Sequence, residues 1–248
     1  MSVYKAPLRD IKFVTQDLLD FDRHYASLPG CDEANQDLID TILSEISKFA
    51  EDVIAPLNAV GDSVGCELQD DGEVRTPPGF KEAYQQYVEG GWPTLDQPSE
   101  YGGQDLPMSI GLPVREMSGT ANWSWAMYPG LSHGAMETID EHGSEEQKAL
   151  FMEPLVSGRW TGTMCLTESH CGTDLGLLRT KAEPAADGSY RITGSKVFIS
   201  SGEHDMAENI VHIVLARVAG APEGTKGISV FIVPKFLPAD GGSIGERN

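Results

Sequence analysis

The chain has 248 residues, 40% of them hydrophobic and 23% charged, and a formal net charge of −20. At about 150 residues per domain that is one large or two ordinary domains with room for a sizeable core, and no uncharged apolar run reaches the length of a membrane span. The acidic balance argues against nucleic acid or an anionic membrane as a partner held by bulk electrostatics. The charge is uneven: residues 1–157 hold nine Lys+Arg against 28 Asp+Glu, and residues 158–248 hold nine against ten. The second part is therefore the better host for an anionic ligand. The N-terminus has no secretory pattern, and the four cysteines (Cys31, Cys66, Cys165, Cys171) are expected to be reduced thiols, which together imply a cytoplasmic location.

Residues 1–34 form an N-terminal extension, followed by a helical domain over 35–159. In "ANQDLIDTILSEISKFAEDVIAPLN" the apolar Leu38, Ile39, Ile42, Leu43, Ile46, Phe49, Ala50, Val53 and Ile54 recur at helical steps, predicting one long amphipathic helix closed by Pro56. "PPGFKEAYQQYVEGGW" predicts a shorter helix with Phe80, Ala83, Tyr84, Tyr87 and Val88 on one face and Gly90-Gly91 as its stop. Two further helices are expected over 108–121 and 131–141. "GSEEQKALFMEPLVSGRW" has the capping-box spacing, Ser144 followed three residues later by Gln147, with Gly158 as the stop.

After Trp160 the pattern changes to short β-rich runs, "TGTMCLT", "LLRTKAE", "SYRITGSKVFIS", "IVHIVLARV" and "GISVFIVPKF", with a D-G hairpin signal in "EPAADGSY". A β domain is expected over 160–240. The tail, 241–248, shows no capped element and no closing strand, so the chain is expected to be a fragment.

The stretch "MCLTESHCGTDLG", Met164 to Gly176, concentrates the chemistry. A metal reading through Cys165, His170 and Cys171 lacks a C-x-x-C pair or a second histidine at helical spacing. A Cys171–His170 catalytic pair is disfavoured because adjacent residues on an extended segment point to opposite faces. The remaining possibilities are a strand running into a solvated loop, or a cradle of backbone N–H groups and hydroxyls into which glycines admit a phosphate or a planar ring. Glu168 could be a catalytic carboxylate, but a solvated or locally paired glutamate is the commoner case and is expected here. "LSHGAMETI" resembles the helical wall of a substrate pocket, which would turn His133 toward substrate; plain helix packing is the other reading. Trp123 and Trp125 are expected in core or interface. Arg159, Arg179, Lys181, Arg191 and Lys196 are expected mostly at solvated strand positions.

"MCLTESHCGTDLG", together with "ITGSKVFISSG" and "GTKGISVFIVPK" downstream, resembles the flavin-binding segments of the acyl-CoA dehydrogenase family, and the preceding helices resemble its N-terminal domain. "YKAPLRDIKFV" further resembles a larger subgroup that includes 3-methylmercaptopropionyl-CoA dehydrogenase. Within the pattern, Ser169 replaces the usual proline, His170-Cys171 replace small residues and Phe198 replaces a frequent tryptophan.

The resemblance implies an α+β fold: a helical N-terminal domain, then an antiparallel β-barrel-like domain, with the family's C-terminal helical domain absent. It implies FAD as cofactor, held by Met164, Cys165, Leu166, Thr167, Thr173, Phe198, Ile199 and Ser200, with Thr173 also near the CoA part of the substrate. Ser200 would face the flavin N5 region. No metal and no catalytic base are implied within the chain, because the family's glutamate comes from the C-terminal domain. Implied partners are an acyl-CoA substrate, an electron-transfer flavoprotein as acceptor and further copies of the complete chain. A catalytically inactive flavin- or partner-binding protein and an acyl-CoA oxidase share these motifs.

Overall fold

The computed structural model describes residues 3–31, 33–239 and 242–248. The expected boundary between β domain and tail, at 240–241, lies outside the described residues. The N-terminal extension is itself structured. It carries α1 (Leu8–Lys12), a π-helical turn (Phe13–Leu18) and α2 (Phe21–Tyr25), and it buries Ile11 and Tyr25 in the main helical core.

The long amphipathic segment is one helical rod, but Pro56 does not close it. α3 (Gln36–Phe49) passes through a π-helical turn (Ala50–Ile54) into α4 (Ala55–Val64), placing Pro56 in the first turn of α4. There it follows directly on the wider π-helical turn, in which the Ala55 N–H donates to the Ala50 carbonyl, and the rod passes through a residue that has no N–H of its own. Asn35 caps the start, its side-chain oxygen accepting from the Leu38 N–H at 3.1 Å.

A small hairpin, β1 (Glu67–Leu68) and β2 (Val74–Arg75), leads to α5 (Phe80–Glu89), which buries Phe80, Ala83, Tyr84 and Tyr87 as its pattern predicts. α6 (Met108–Ala121) occupies the predicted span. α7 (Trp123–His142) begins eight residues earlier than its apolar pattern suggests, capped by Asn122, whose side chain accepts from the Trp125 N–H. α8 (Glu145–Val156) has the full Ser144–Gln147 capping box. No helix among the described residues is long and apolar enough to cross a membrane.

The second part contains β3 (Trp160–Cys165), β4 (Lys181–Pro184), β5 (Tyr190–Thr193), β6 (Asn209–Val218), β7 (Ile228–Pro234), β8 (Phe236–Pro238) and β9 (Ile244–Arg247). The helices-then-sheet architecture is as expected, but the sheet is mixed rather than wholly antiparallel. β6 is its centre. It pairs parallel with β3 and, at its far end, with β4, and antiparallel with β7. The long connection from Leu166 to Glu208 permits the parallel β3–β6 pairing, since a tight hairpin joins only antiparallel neighbours.

A closing strand is also present. β9 pairs with β8, and Arg247 bonds Glu73 of the β1–β2 turn and Glu203. The sheet rests on α7 and α8 through a second core of Ala135, Met136, Ile139, Phe151, Met152, Leu155, Val156, Trp160, Val211 and Ile213. The approach of α7 to β3 is close enough that a Cβ on Gly162 would stand 2.4 Å from that of Ala135.

Candidate functional site

β3 ends where two loops converge. Trp160 to Thr163 are all buried, and only at the end of the strand does burial alternate: Thr163 and Cys165 are buried, whereas Met164 is 44% exposed. Cys165 therefore turns its thiol inward, and burial pushes that thiol up to about 11, a protonated and unreactive group near neutral pH.

The loop from Leu166 is pinned by Glu168, which is 4% exposed. Its carboxylate accepts from the Thr180 N–H at 2.9 Å, the Thr180 hydroxyl at 2.6 Å, the Arg179 N–H at 2.9 Å and the Lys196 ammonium at 3.0 Å. Burial alone would raise its pKa. The four donors outweigh burial and bring it down to about 2, so Glu168 is an anion near neutral pH and anchors the loop. It is thus locally paired, and it is not solvated.

The segment read as a strand over Phe198 to Ser200 is a turn. The ladder of β5 stops at Thr193, and both Phe198 and Ser201 have positive φ, 56° and 57°. Three tethers shape it. The Val197 N–H donates to the Thr167 carbonyl at 2.9 Å, the Thr163 hydroxyl donates to the Ser200 carbonyl at 2.7 Å, and His212 Nε2 lies 2.7 Å from the Gly202 carbonyl. Thr163 and His212 are direct partners across β3 and β6, so one cross-strand pair holds the C-terminal end of the turn while the Val197 bond holds its start. Phe198 is left 93% exposed beside this junction.

Leu166, Thr167, Phe198, Ile199 and Ser200 are thereby drawn together at the end of β3. Thr173 sits on the exposed part of the loop, next to Gly172, whose backbone lies against Thr167: an added Cβ would be 3.3 Å from Thr167 Cγ2. Arg217 holds the far side of that loop, donating to the Leu178 and Gly176 carbonyls at 2.8 Å each.

A planar group with hydrogen-bonding edges fits this arrangement. The hydroxyls of Thr167, Thr173 and Ser200 have no hydrogen-bond partner among the described residues, and an aromatic side chain stands unpacked beside them. Glu168, His170 and Cys171 place one ligand atom each within 4.8 Å of one another. Three donors, one of them an ammonium, converge on Glu168 Oε1 and a fourth takes Oε2, so this carboxylate is already committed to holding the loop.

The second concavity is a cavity of about 340 Å³ in the helical part, lined by residues of α5, α6 and α7 that include Tyr87, Trp123, Met127, Leu131 and His133. Its wall is largely apolar, with two polar pairs: Arg115 on Asp96 at 2.7 Å, and His133 Nδ1 on the Gln97 amide at 3.1 Å. His133 therefore lines the cavity, Trp123 stands at it while 70% exposed, and Trp125 is a core residue at 0%. Sequence reasoning passed over Asp96, Gln97 and Arg115, which carry no motif and are assembled only by the packing of α6 on the turn before it.

Residues 37–159 match the acyl-CoA dehydrogenase N-terminal domain and residues 163–248 its middle domain. The chain is 43% identical over 245 residues to 3-methylmercaptopropionyl-CoA dehydrogenase of Ruegeria pomeroyi, covering 99% of this chain and 41% of that protein. It is 37% identical over 254 residues to a broad-specificity linear acyl-CoA dehydrogenase of Mycobacterium tuberculosis, covering 100% of this chain and again 41% of the relative. It therefore spans about two fifths of the length of these relatives. Among solved structures, butyryl-CoA dehydrogenase of Megasphaera elsdenii superimposes with a TM-score of 0.64 at 26% identity, over 80% of this chain and 48% of that one. An acyl-CoA dehydrogenase of Bacillus anthracis complexed with FAD has the same fold, with a TM-score of 0.64 at 24% identity over 84% of this chain and 32% of that one. With both of its parts matched in order, the chain belongs to the acyl-CoA dehydrogenase family.

Proposed function

We propose that these residues form the FAD-binding wall and part of the acyl pocket of an enzyme that removes hydrogens from Cα and Cβ of an acyl-CoA thioester. The observation that carries the reading is the junction at the end of β3, where Met164–Thr167 and Phe198–Ser200 meet with free hydroxyls and an exposed ring. When bound, FAD supplies the hydride acceptor. The chain's own residues do the positioning. Backbone and hydroxyl groups of Leu166 and Thr167 meet the pyrimidine end, Phe198 and Ile199 cover the ring, the Ser200 hydroxyl meets the N5 edge and Thr173 meets the pyrophosphate and the CoA side.

The cavity between α5, α6 and α7 takes the acyl tail, its apolar wall excluding water from the chain. The base that removes the α-proton is assigned to no residue of this chain. In a complete enzyme the electrons pass to an electron-transfer flavoprotein.

Titration of the chain with FAD, followed by flavin fluorescence and by the visible band, tests the reading. Weak but saturable binding is expected, and its absence at excess FAD overturns it. Acyl-CoA-dependent dye reduction by the same chain is expected to be nil; clear turnover would place a base within these residues.

A further inference from the structure

Lys196 was expected at a solvated position and is instead almost enclosed, its side chain 11% exposed against Glu168 at 4%. Its ammonium donates to the Leu166 carbonyl at 3.1 Å and to Glu168 Oε1 at 3.0 Å. The next residue, Val197, donates its N–H to the Thr167 carbonyl at 2.9 Å. Three consecutive residues after β3 are thus bonded by two consecutive residues after β5. The same carboxylate takes the Arg179 and Thr180 amides that precede β4. Three segments separated by 11 to 28 residues in sequence meet at one buried ion pair.

A pair of this kind contributes little net stability, because taking two charges out of water costs about as much as their attraction returns. Its effect is geometric: each charge has few places to go once both are enclosed. Lysine suits the position because one compact ammonium with three donors can serve a backbone carbonyl and a carboxylate two residues apart on the same loop, whereas a planar guanidinium is matched to one forked partner. The turn that follows needs such a constraint, since Phe198 and Ser201 hold left-handed conformations that neither side chain favours.

We propose that Lys196 is a positioning residue that sets the spacing between the two walls of the flavin site, with the Leu166 carbonyl and the Glu168 carboxylate as its two fixed points. The role in flavin binding rests on the reading given under Proposed function; the coupling of the walls does not.

The test uses the whole chain as wild type, K196M, E168Q, the double variant, and I54V as a control in the helical core. Without FAD, hydrogen exchange in K196M is expected to rise at least tenfold together over residues 166–180 and 195–202, with α3 and α6 unchanged and I54V leaving both segments protected. A rise confined to the neighbours of residue 196, or spread evenly over the chain, overturns the proposal. With FAD, K196M is expected to raise Kd at least tenfold and I54V less than twofold; equal losses in the two variants overturn it. The double variant should lose less than the product of the single losses, because the glutamine leaves no buried anion unpaired; a full product shows that the two residues act separately and also overturns it. If K196M does not fold, E168Q carries the same measurements with the same direction expected. Coupled exchange in a wild type that takes up no FAD would remove the flavin reading and leave the coupling standing.

Discussion

The helical part and the sheet part are held by different means. In α3 to α7, large apolar side chains are wholly enclosed: Leu43, Ile46, Ile54, Met117 and Trp125 are all at 1% exposure or less. At the end of the sheet the loops have only a small apolar cluster, Cys171, Leu178 and Leu215, and are set by a carboxylate, an ammonium, a guanidinium and single hydroxyls. The difference separates two demands. Apolar burial is strong and tolerant of small shifts, whereas directional bonds define where a backbone carbonyl or hydroxyl points.

The largest effect should come from the helical core. Trp125 is fully buried, donates its indole N–H to the Phe80 carbonyl at 3.1 Å and meets Tyr87 edge-on at 5.5 Å. W125A is expected to cost about 3–5 kcal/mol in urea unfolding. FAD affinity of the folded fraction should stay within about threefold of wild type if the two parts are as separate as their cores; a larger loss would merge them.

Legibility divides along the same line. Period and caps announce helices, so α5, α6 and the Ser144 capping box were readable, because the residues that specify them are neighbours in sequence. The rod through Pro56 was not, since a π-helical turn has no apolar signature of its own. β9 was missed because all four of its residues are exposed and show no alternation. "VFIS" has strand propensity, yet its turn is imposed by Thr163 and His212, which lie about 37 and 10 residues away. Glu168 and Lys196 looked like ordinary surface charges because composition places such residues outside, and only the meeting of three segments encloses them.

Acid should reach the two parts of the second domain in sequence. Burial, followed by the nearby Lys235 charge, lowers the pKa of His204 from 6.5 to about 4. It stays neutral between the Thr161 hydroxyl, at 2.9 Å from Nε2, and the Met206 N–H, which donates to Nδ1 at 3.1 Å. A group with its folded pKa depressed supports the fold above its unfolded value and loses that support as pH falls, here from about 6.5 to 4. Glu168, lowered from 4.5 to about 2, loses its support from about pH 4.5 downward. The His204 step is worth on the order of 3 kcal/mol. Stability measured against pH should therefore fall in two stages; H204Q should flatten the upper one and E168Q the lower. A single stage insensitive to either change would remove the assignment.

A smaller effect is expected where helix meets sheet. G162A places a methyl group 2.4 Å from the Ala135 Cβ, and neither atom can rotate away. Separating α7 from β3 should cost about 1–3 kcal/mol. Because the Gly162 N–H also donates to the Ser132 hydroxyl at 3.0 Å, the loss should appear as faster amide exchange in β3 with little change in α3.

The smallest stability change should occur at the residue most exposed to the site. Phe198 buries almost nothing, at 93% exposure, and holds a φ of 56°. Replacing it by glycine removes a left-handed penalty of about 1–2 kcal/mol and adds unfolded-state freedom worth about 0.5–1 kcal/mol in the opposite direction. F198G should thus melt at or slightly above the wild-type temperature. On the proposed reading its ring covers the flavin, so FAD affinity should fall while the fold stays intact. Were Phe198 instead a packing residue of the sheet domain, the same substitution would lower the melting temperature by several degrees and bring affinity down with it.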